Sequence, residues 1–233
     1  MPTDPILRID ARYAGPPGSG NGGVTCGLLA AHVDAPAVEV TLRRPPPLEV
    51  DLRVHDGGLY DGDVLVASAV PAVVDVEPHP AVDVDTARAA GASYGGLTAH
   101  PFPGCFVCGV DEPLGLGLRP GPIAPGVVAA VWTPTSAAPF LTWAALDCPG
   151  GWTVDLPGRP MVLGRMALRS LLAPTVGEPH VVVGWTTGSE GRKTFCGTAL
   201  YDGDGALLAL ARQTWLAVDV DQVGRQAEGS RAS

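Results

Sequence analysis

Leu59-Tyr60-Asp61-Gly62-Asp63 and Leu200-Tyr201-Asp202-Gly203-Asp204 are the same five residues in the same order, 141 positions apart (200 − 59). Asp-Gly readily adopts the positive-φ geometry of a tight hairpin turn, so each copy predicts a turn between two strands. Turn chemistry alone can recur by chance, and the surroundings carry the weight. Ahead of the first copy the sequence reads as an apolar helix ending near His32, then strands at 37–43 and 48–54, with a strand at 63–70 behind it. In the second half come strands at 114–119 and 126–132, an apolar helix within 139–154 and strands at 161–172, 180–189, 193–201 and 207–218. The same order twice predicts an internal duplication, each half one helix plus a mostly antiparallel sheet.

Bulk properties fit two such units. The 233 residues, 46% hydrophobic and 17% charged, suffice for one large domain or two modules. A net charge of −9 argues against nucleic acid or an anionic membrane as partner, and Lys193 is the only lysine. No apolar run reaches membrane-spanning length, and the first residues lack the pattern of a signal peptide. Five scattered cysteines suggest no disulfide framework, so a soluble cytoplasmic protein is expected. The expected boundaries are a first module at 1–75, an acidic, Pro-bearing surface linker at 76–103, a second module at 104–221, and a disordered tail at 222–233.

Two stretches hold candidate chemistry. In the first half, strand 6–13 leads to the glycine-rich run from Gly15 to Gly23, which feeds the first helix directly. A helix start offers free N–H groups and the positive end of a dipole. The P-loop pattern is absent, which excludes a nucleotide site of that kind. In the second half, PFLTWAALDCPGGW at 139–152 places Leu141, Ala144, Ala145 and Cys148 at helical spacing, with Asp147 one position off that stripe. Gly150 and Gly151 are expected to loosen or end the helix.

The order strand, glycine loop, apolar helix and antiparallel strands, occurring twice, resembles the hotdog fold in its double-hotdog form. Three stretches carry the likeness: the segment from Gly18 to Val33, the pair Cys105-Phe-Val-Cys-Gly109 and Leu114-Gly-Leu-Gly-Leu118, and the Asp147 helix. The second is similar to the lead-in of phenylacetate-pathway thioesterases. The resemblance implies an α+β double hotdog, two modules each with a long helix wrapped by an antiparallel sheet. It implies hydrolysis of an acyl-coenzyme A thioester, with coenzyme A as part of the substrate and no separate cofactor. A homodimer and a small-molecule acyl thioester partner are implied too, with neither nucleic acid nor membrane. The alternatives are a non-catalytic acyl-CoA- or acyl-carrier-binding protein and, behind it, a hydratase or dehydratase.

In hotdog thioesterases of this kind a backbone N–H at the helix start polarises the thioester carbonyl. A carboxylate eight residues later on the partner helix acts as base or nucleophile. Carried over, Gly22 plus eight is Ala30, which has no acid, and Asp147 minus eight is Pro139, which has no N–H. Gly22 and Gly23 with Asp147 then make one complete composite site. Asn21 is expected to position substrate or, more in keeping with its type, to cap the first helix. Trp143 and Trp152 flank Asp147 as substrate contacts, and Arg165 and Arg169, with Arg192 and Lys193, are candidates for coenzyme A phosphates. Cys105 and Cys108 lack a second ligand pair, and His100 is the nearest further donor. No metal is therefore expected. No GxSxG or HExxH pattern is present.

Overall fold

A computed structural model describes residues 4–220. The tail expected at 222–233 lies outside the described residues. The elements run β1 (Ile6–Arg8), α1 (Gly22–Ala30), β2 (Ala37–Leu42), β3 (Asp51–His55), β4 (Gly58–Asp61) and β5 (Val64–Pro71). After α2 (Val84–Gly91) and β6 (Gly121–Ala124) come β7 (Val127–Trp132), α3 (Pro139–Gly151), β8 (Met161–Ser170), β9 (His180–Glu190), β10 (Lys193–Tyr201) and β11 (Leu207–Ala217). Among the described residues no helix is long and apolar enough to cross a membrane.

All strands join one antiparallel sheet in the order β1-β3-β4-β5-β2-β8-β11-β10-β9-β7-β6. From the outside inward, β1-β3-β4-β5-β2 has the same sequence of connections as β7-β9-β10-β11-β8. The two series meet where β2 pairs with β8, Ala37 opposite Arg169 and Thr41 opposite Arg165. The LYDGD copies fall on equivalent hairpins, β4–β5 and β10–β11. Gly62 takes a φ of +56° in the first turn, which an L side chain resists.

Strands were legible because they alternate, and the sheet shows why the long ones read so apolar. Val182, Cys196, Leu200 and Ala209 face the helices. Val181, Val183, Ala199 and Leu210 face a second core on the opposite side. That second core is closed by Val74 and by Ala87 of α2. The stretch expected as a surface linker thus contains a helix. Asp83 caps it by accepting from the Thr86 N–H at 2.7 Å, and α2 packs across β7. The strand expected at 114–119 is a loop, since Leu116 and Leu118 instead donate to the Phe106 and Val107 carbonyls.

The helices lie side by side on the inner face, α1 against β2, β5 and β8, and α3 against β7 to β11. Both are apolar around their full circumference, which is the pattern of a wholly buried helix rather than a stripe. Asp147 is therefore not at the rim of a buried face: everything from Leu141 to Gly151 is buried. Gly150 and Gly151 are the last two residues of α3, where they are expected to end it. They let it approach β11, where a Cβ on Gly151 would come within 2.9 Å of Trp215.

Candidate active site

Two glycines one turn apart set the contact between the helices. A Cβ on Gly23 would lie 2.6 Å from the Asp147 Cβ, and one on Gly27 would lie 2.6 Å from the Phe140 Cα. Any side chain would push the helices apart, so Gly23-x-x-x-Gly27 brings the start of α1 directly onto the second half of α3. At that crossing the Gly23 N–H donates to Asp147 Oδ2 at 3.0 Å. Asn21 does two things there. Its Oδ1 accepts from the Val24 N–H at 2.9 Å, capping α1, and its Nδ2 donates to Asp147 Oδ2 at 3.0 Å.

The carboxylate is thus held by one oxygen only. Oδ1 is buried and has no partner among the described residues. Burial raises the Asp147 carboxyl to about 7, the Cys105 sulfur adds to the rise, and the Gly23 and Asn21 donors draw it partway back. Asp147 and Gly22 both line a cavity of about 400 Å³, the scale of a small-molecule site. Gly22 supplies the first N–H of α1. That N–H has no acceptor inside the helix and makes no hydrogen bond with the described residues.

The structure brings Asn21, Gly22, Asp147 and Trp152 together around this cavity, with Gly23 hydrogen-bonded to Asp147 but outside the cavity lining. Trp143 is buried beside them without lining it. Arg165 and Arg169 are exposed and outside it, on β8, with Arg165 3.4 Å from Glu39. The cationic lining comes instead from exposed Arg43, Arg44 and Arg192, which form no ion pair among the described residues. Arg43 and Arg44 escaped sequence reasoning because they follow β2 in the first half, far in sequence from Asp147. Their one visible signal is adjacency in an acidic, almost lysine-free chain.

Sulfur gathers at the same place. Cys105 Sγ lies 3.7 Å from Cys148 Sγ and 3.7 Å from Asn21 Nδ2. Hydrogen bonds from Cys108 and then Cys148 draw the Cys105 thiol well below its usual range. Spacing could not reveal this, because Cys148 reads as one more small apolar residue of α3.

No family model matches this chain, and no curated protein matches it. Solved structures do. A candidate thioesterase of Novosphingobium aromaticivorans is 15% identical, with 93% of this chain and 96% of that one covered at a TM-score of 0.62. The TesB protein of Mycobacterium avium subspecies paratuberculosis is 10% identical, with 92% and 96% covered at 0.55. A hot dog fold protein of unknown function from Alicyclobacillus acidocaldarius is 14% identical, with 92% of each chain covered at 0.56. Over nearly its whole length, then, this chain has the hotdog fold.

Proposed function

We propose that the protein is a double-hotdog thioester hydrolase, acting on an acyl-coenzyme A conjugate at one composite site between its halves. The two halves are read as modules at 1–75 and 104–221, supported by the matching strand order and the paired LYDGD hairpins. One observation carries the activity. A buried carboxylate holds one oxygen on Gly23 and Asn21 and keeps the other unpartnered, in a cavity lined also by Gly22, whose N–H has no partner among the described residues.

The chemistry follows from that placement. A thioester carbonyl directed at the Gly22 N–H is polarised, and a preorganised donor to the developing oxyanion contributes about 3–4 kcal/mol. Asp147 Oδ1 takes a proton from water as the hydroxyl adds to the carbonyl carbon. Collapse breaks the carbon–sulfur bond, and the thiolate leaves with the proton, giving a carboxylic acid and free coenzyme A. Direct attack by Oδ1 through a mixed anhydride reaches the same products. Arg43, Arg44 and Arg192 suit the phosphates of coenzyme A, and the indole of Trp152 suits the apolar part of the substrate.

The test compares wild type with Asp147→Asn on short, medium, long and aromatic acyl-CoAs, reading free thiol. Binding of a thioether analogue is measured in parallel. Turnover should fall by about two orders of magnitude or more while analogue affinity holds. Equal turnover in both proteins removes Asp147 from the role. Tight binding with no turnover in either identifies a binding protein instead.

A further inference from the structure

The loop 105–108 and helix α3 place three sulfurs at one point. The Sγ atoms of Cys105, Cys108 and Cys148 all lie within 4.8 Å of one another, and all three residues are buried. The Cys105–Cys148 separation of 3.7 Å is far from the ~2.05 Å of a disulfide. Four sulfurs around zinc at about 2.3 Å are about 3.8 Å apart along each tetrahedral edge.

Donor groups stand close to the cluster, the Asn21 Nδ2 at 3.7 Å from the Cys105 sulfur among them. Cys105 and Cys108 lie at the two ends of one tight turn. The turn closes through the Gly109 N–H on the Cys105 carbonyl at 2.8 Å. A Cβ on Gly109 would come within 2.4 Å of the Pro103 carbonyl oxygen, so the turn needs glycine. Trp152, 7% exposed, lines the same cavity, and its buried indole N–H has no hydrogen-bond partner among the described residues. His100 Nε2 lies 3.5 Å from the same sulfur, while its Nδ1 accepts from the Phe102 N–H at 2.9 Å. A neutral ring accepting at Nδ1 carries its proton on Nε2, which faces the Cys108 carbonyl oxygen at 3.2 Å as well as the sulfur, so His100 is a donor beside the cluster and not itself a ligand. Donors thus reach the cluster from α1's cap, Asn21, and from His100, as around a metal-bound thiolate.

We propose that Cys105, Cys108 and Cys148 are the thiolate ligands of a single zinc ion. Binding converts three thiols to thiolates and releases three protons, leaving a net charge of −1 on the cluster for those donors to offset. All three cysteines also line the cavity, so the fourth coordination position falls to a water or a ligand atom from it. The ion ties the 105–108 loop to α3 at the residue beside Asp147. The CxxC pair that looks short of ligands in the sequence gains its third across the fold.

The experiment uses the full chain, purified under reducing conditions, stripped with a chelator and titrated with Co²⁺. Uptake of one ion per chain with an intense thiolate-to-cobalt band, bleached by one equivalent of Zn²⁺, is expected. Cys148→Ser should weaken Zn²⁺ affinity by at least about tenfold, the least expected of even an outer-shell change. Cys196→Ala, at a buried cysteine outside the cluster, should leave affinity unchanged. Cys105→Ser is the second ligand variant should Cys148→Ser not fold. A folded wild type that takes up Co²⁺ without a thiolate band, or takes up none, overturns the site. So does affinity unchanged in the folded ligand variants, or a Cys105–Cys108 disulfide that persists after reduction and zinc addition.

Discussion

The two ends of the α1–α3 contact are built alike and equipped differently. At one end Gly23 meets Asp147 and Ala144, next to a free N–H and a cavity. At the other, Gly27 meets Phe140, whose ring packs on Tyr13 at 5.4 Å. Ala30 stands there where the first half would need an acid, and Pro139 opens α3 without an N–H. If the chain is a duplicated hotdog, each half has kept the component that the other has lost. A lone site needs only one donor and one acid, and the unused end is free to be filled with apolar packing. The comparison is breakable from either end.

The sharpest break at the equipped end is Gly22→Pro, which deletes the proposed donor and little else. Asn21 before it sits at φ −60°, ψ 136°, a conformation that proline tolerates in its predecessor, and proline suits the first position of a helix. The new Cβ meets Leu163 at 3.0 Å, a side chain that has to yield slightly. Turnover should drop about 10²–10³-fold, as for loss of an oxyanion donor. Circular dichroism and a thermal melt should show the fold retained. Full activity in a folded Gly22→Pro protein would move the donor elsewhere.

Asn21 separates support from structure. Asn21→Ala removes both the cap and the Asp147 contact, whereas Asn21→Ser can keep the cap while falling short of Asp147. Loss of a hydrogen bond to a charged group is worth about 1.5–3 kcal/mol, so both should lose about tenfold or more in turnover. Only the alanine should also lose about 1 kcal/mol of stability in denaturant unfolding. A serine variant with wild-type turnover would reduce Asn21 to a cap.

A smaller effect is expected at the cavity rim. Replacing Arg43, Arg44 and Arg192 together by alanine removes three exposed contacts of about 0.2–1 kcal/mol each. KM for acyl-CoA should rise about tenfold, while KM for the matching pantetheine thioester, which lacks the phosphates, should stay put. An equal rise for both substrates would take phosphate recognition away from these arginines.

How much of this was legible in the sequence depends on whether the signal was local. The LYDGD turns, the alternating strands and the apolar helices are local, and the second-half strands at 161–172 and 180–189 lie within two residues of β8 and β9. The hydrogen-bonded loop at 114–119 misread as a strand, because an alternating Leu-Gly pattern mimics one while its N–H groups go to loop carbonyls. Helix α2 was hidden by its short length and by the acidic, Pro-bearing stretch around it. The Asp147 site was half visible: its acid stood out in an apolar segment, yet the partner Gly23 lies 124 residues away. The place of Cys148 beside the Cys105–Cys108 pair and of Arg43 and Arg44 at the rim was invisible for the same reason, since each joins its site across the fold, whereas Arg192 stood among the sequence candidates.

The smallest expected change in activity comes from arming the other end. Ala30→Asp, introduced into the Asp147→Asn protein, places a carboxylate at the position equivalent to the lost one. It should restore no turnover. Pro139 has no N–H to polarise a carbonyl, and Phe140 fills the space next to Gly27. Ala30 is buried, at 7% exposure, so the new acid would sit without the donors that Gly23 and Asn21 give Asp147 and would favour its neutral form. An unpaired polar group there should cost about 1–3 kcal/mol of stability, readable in the same unfolding series. Hydrolysis of the best acyl-CoA by the double variant is compared with that of Asp147→Asn alone. Matching rates keep the two ends distinct, since an acid without a donor does nothing. Recovery of more than about tenfold, well beyond what one exposed charge contact contributes, would mean that the far end still holds a donor and a path for substrate.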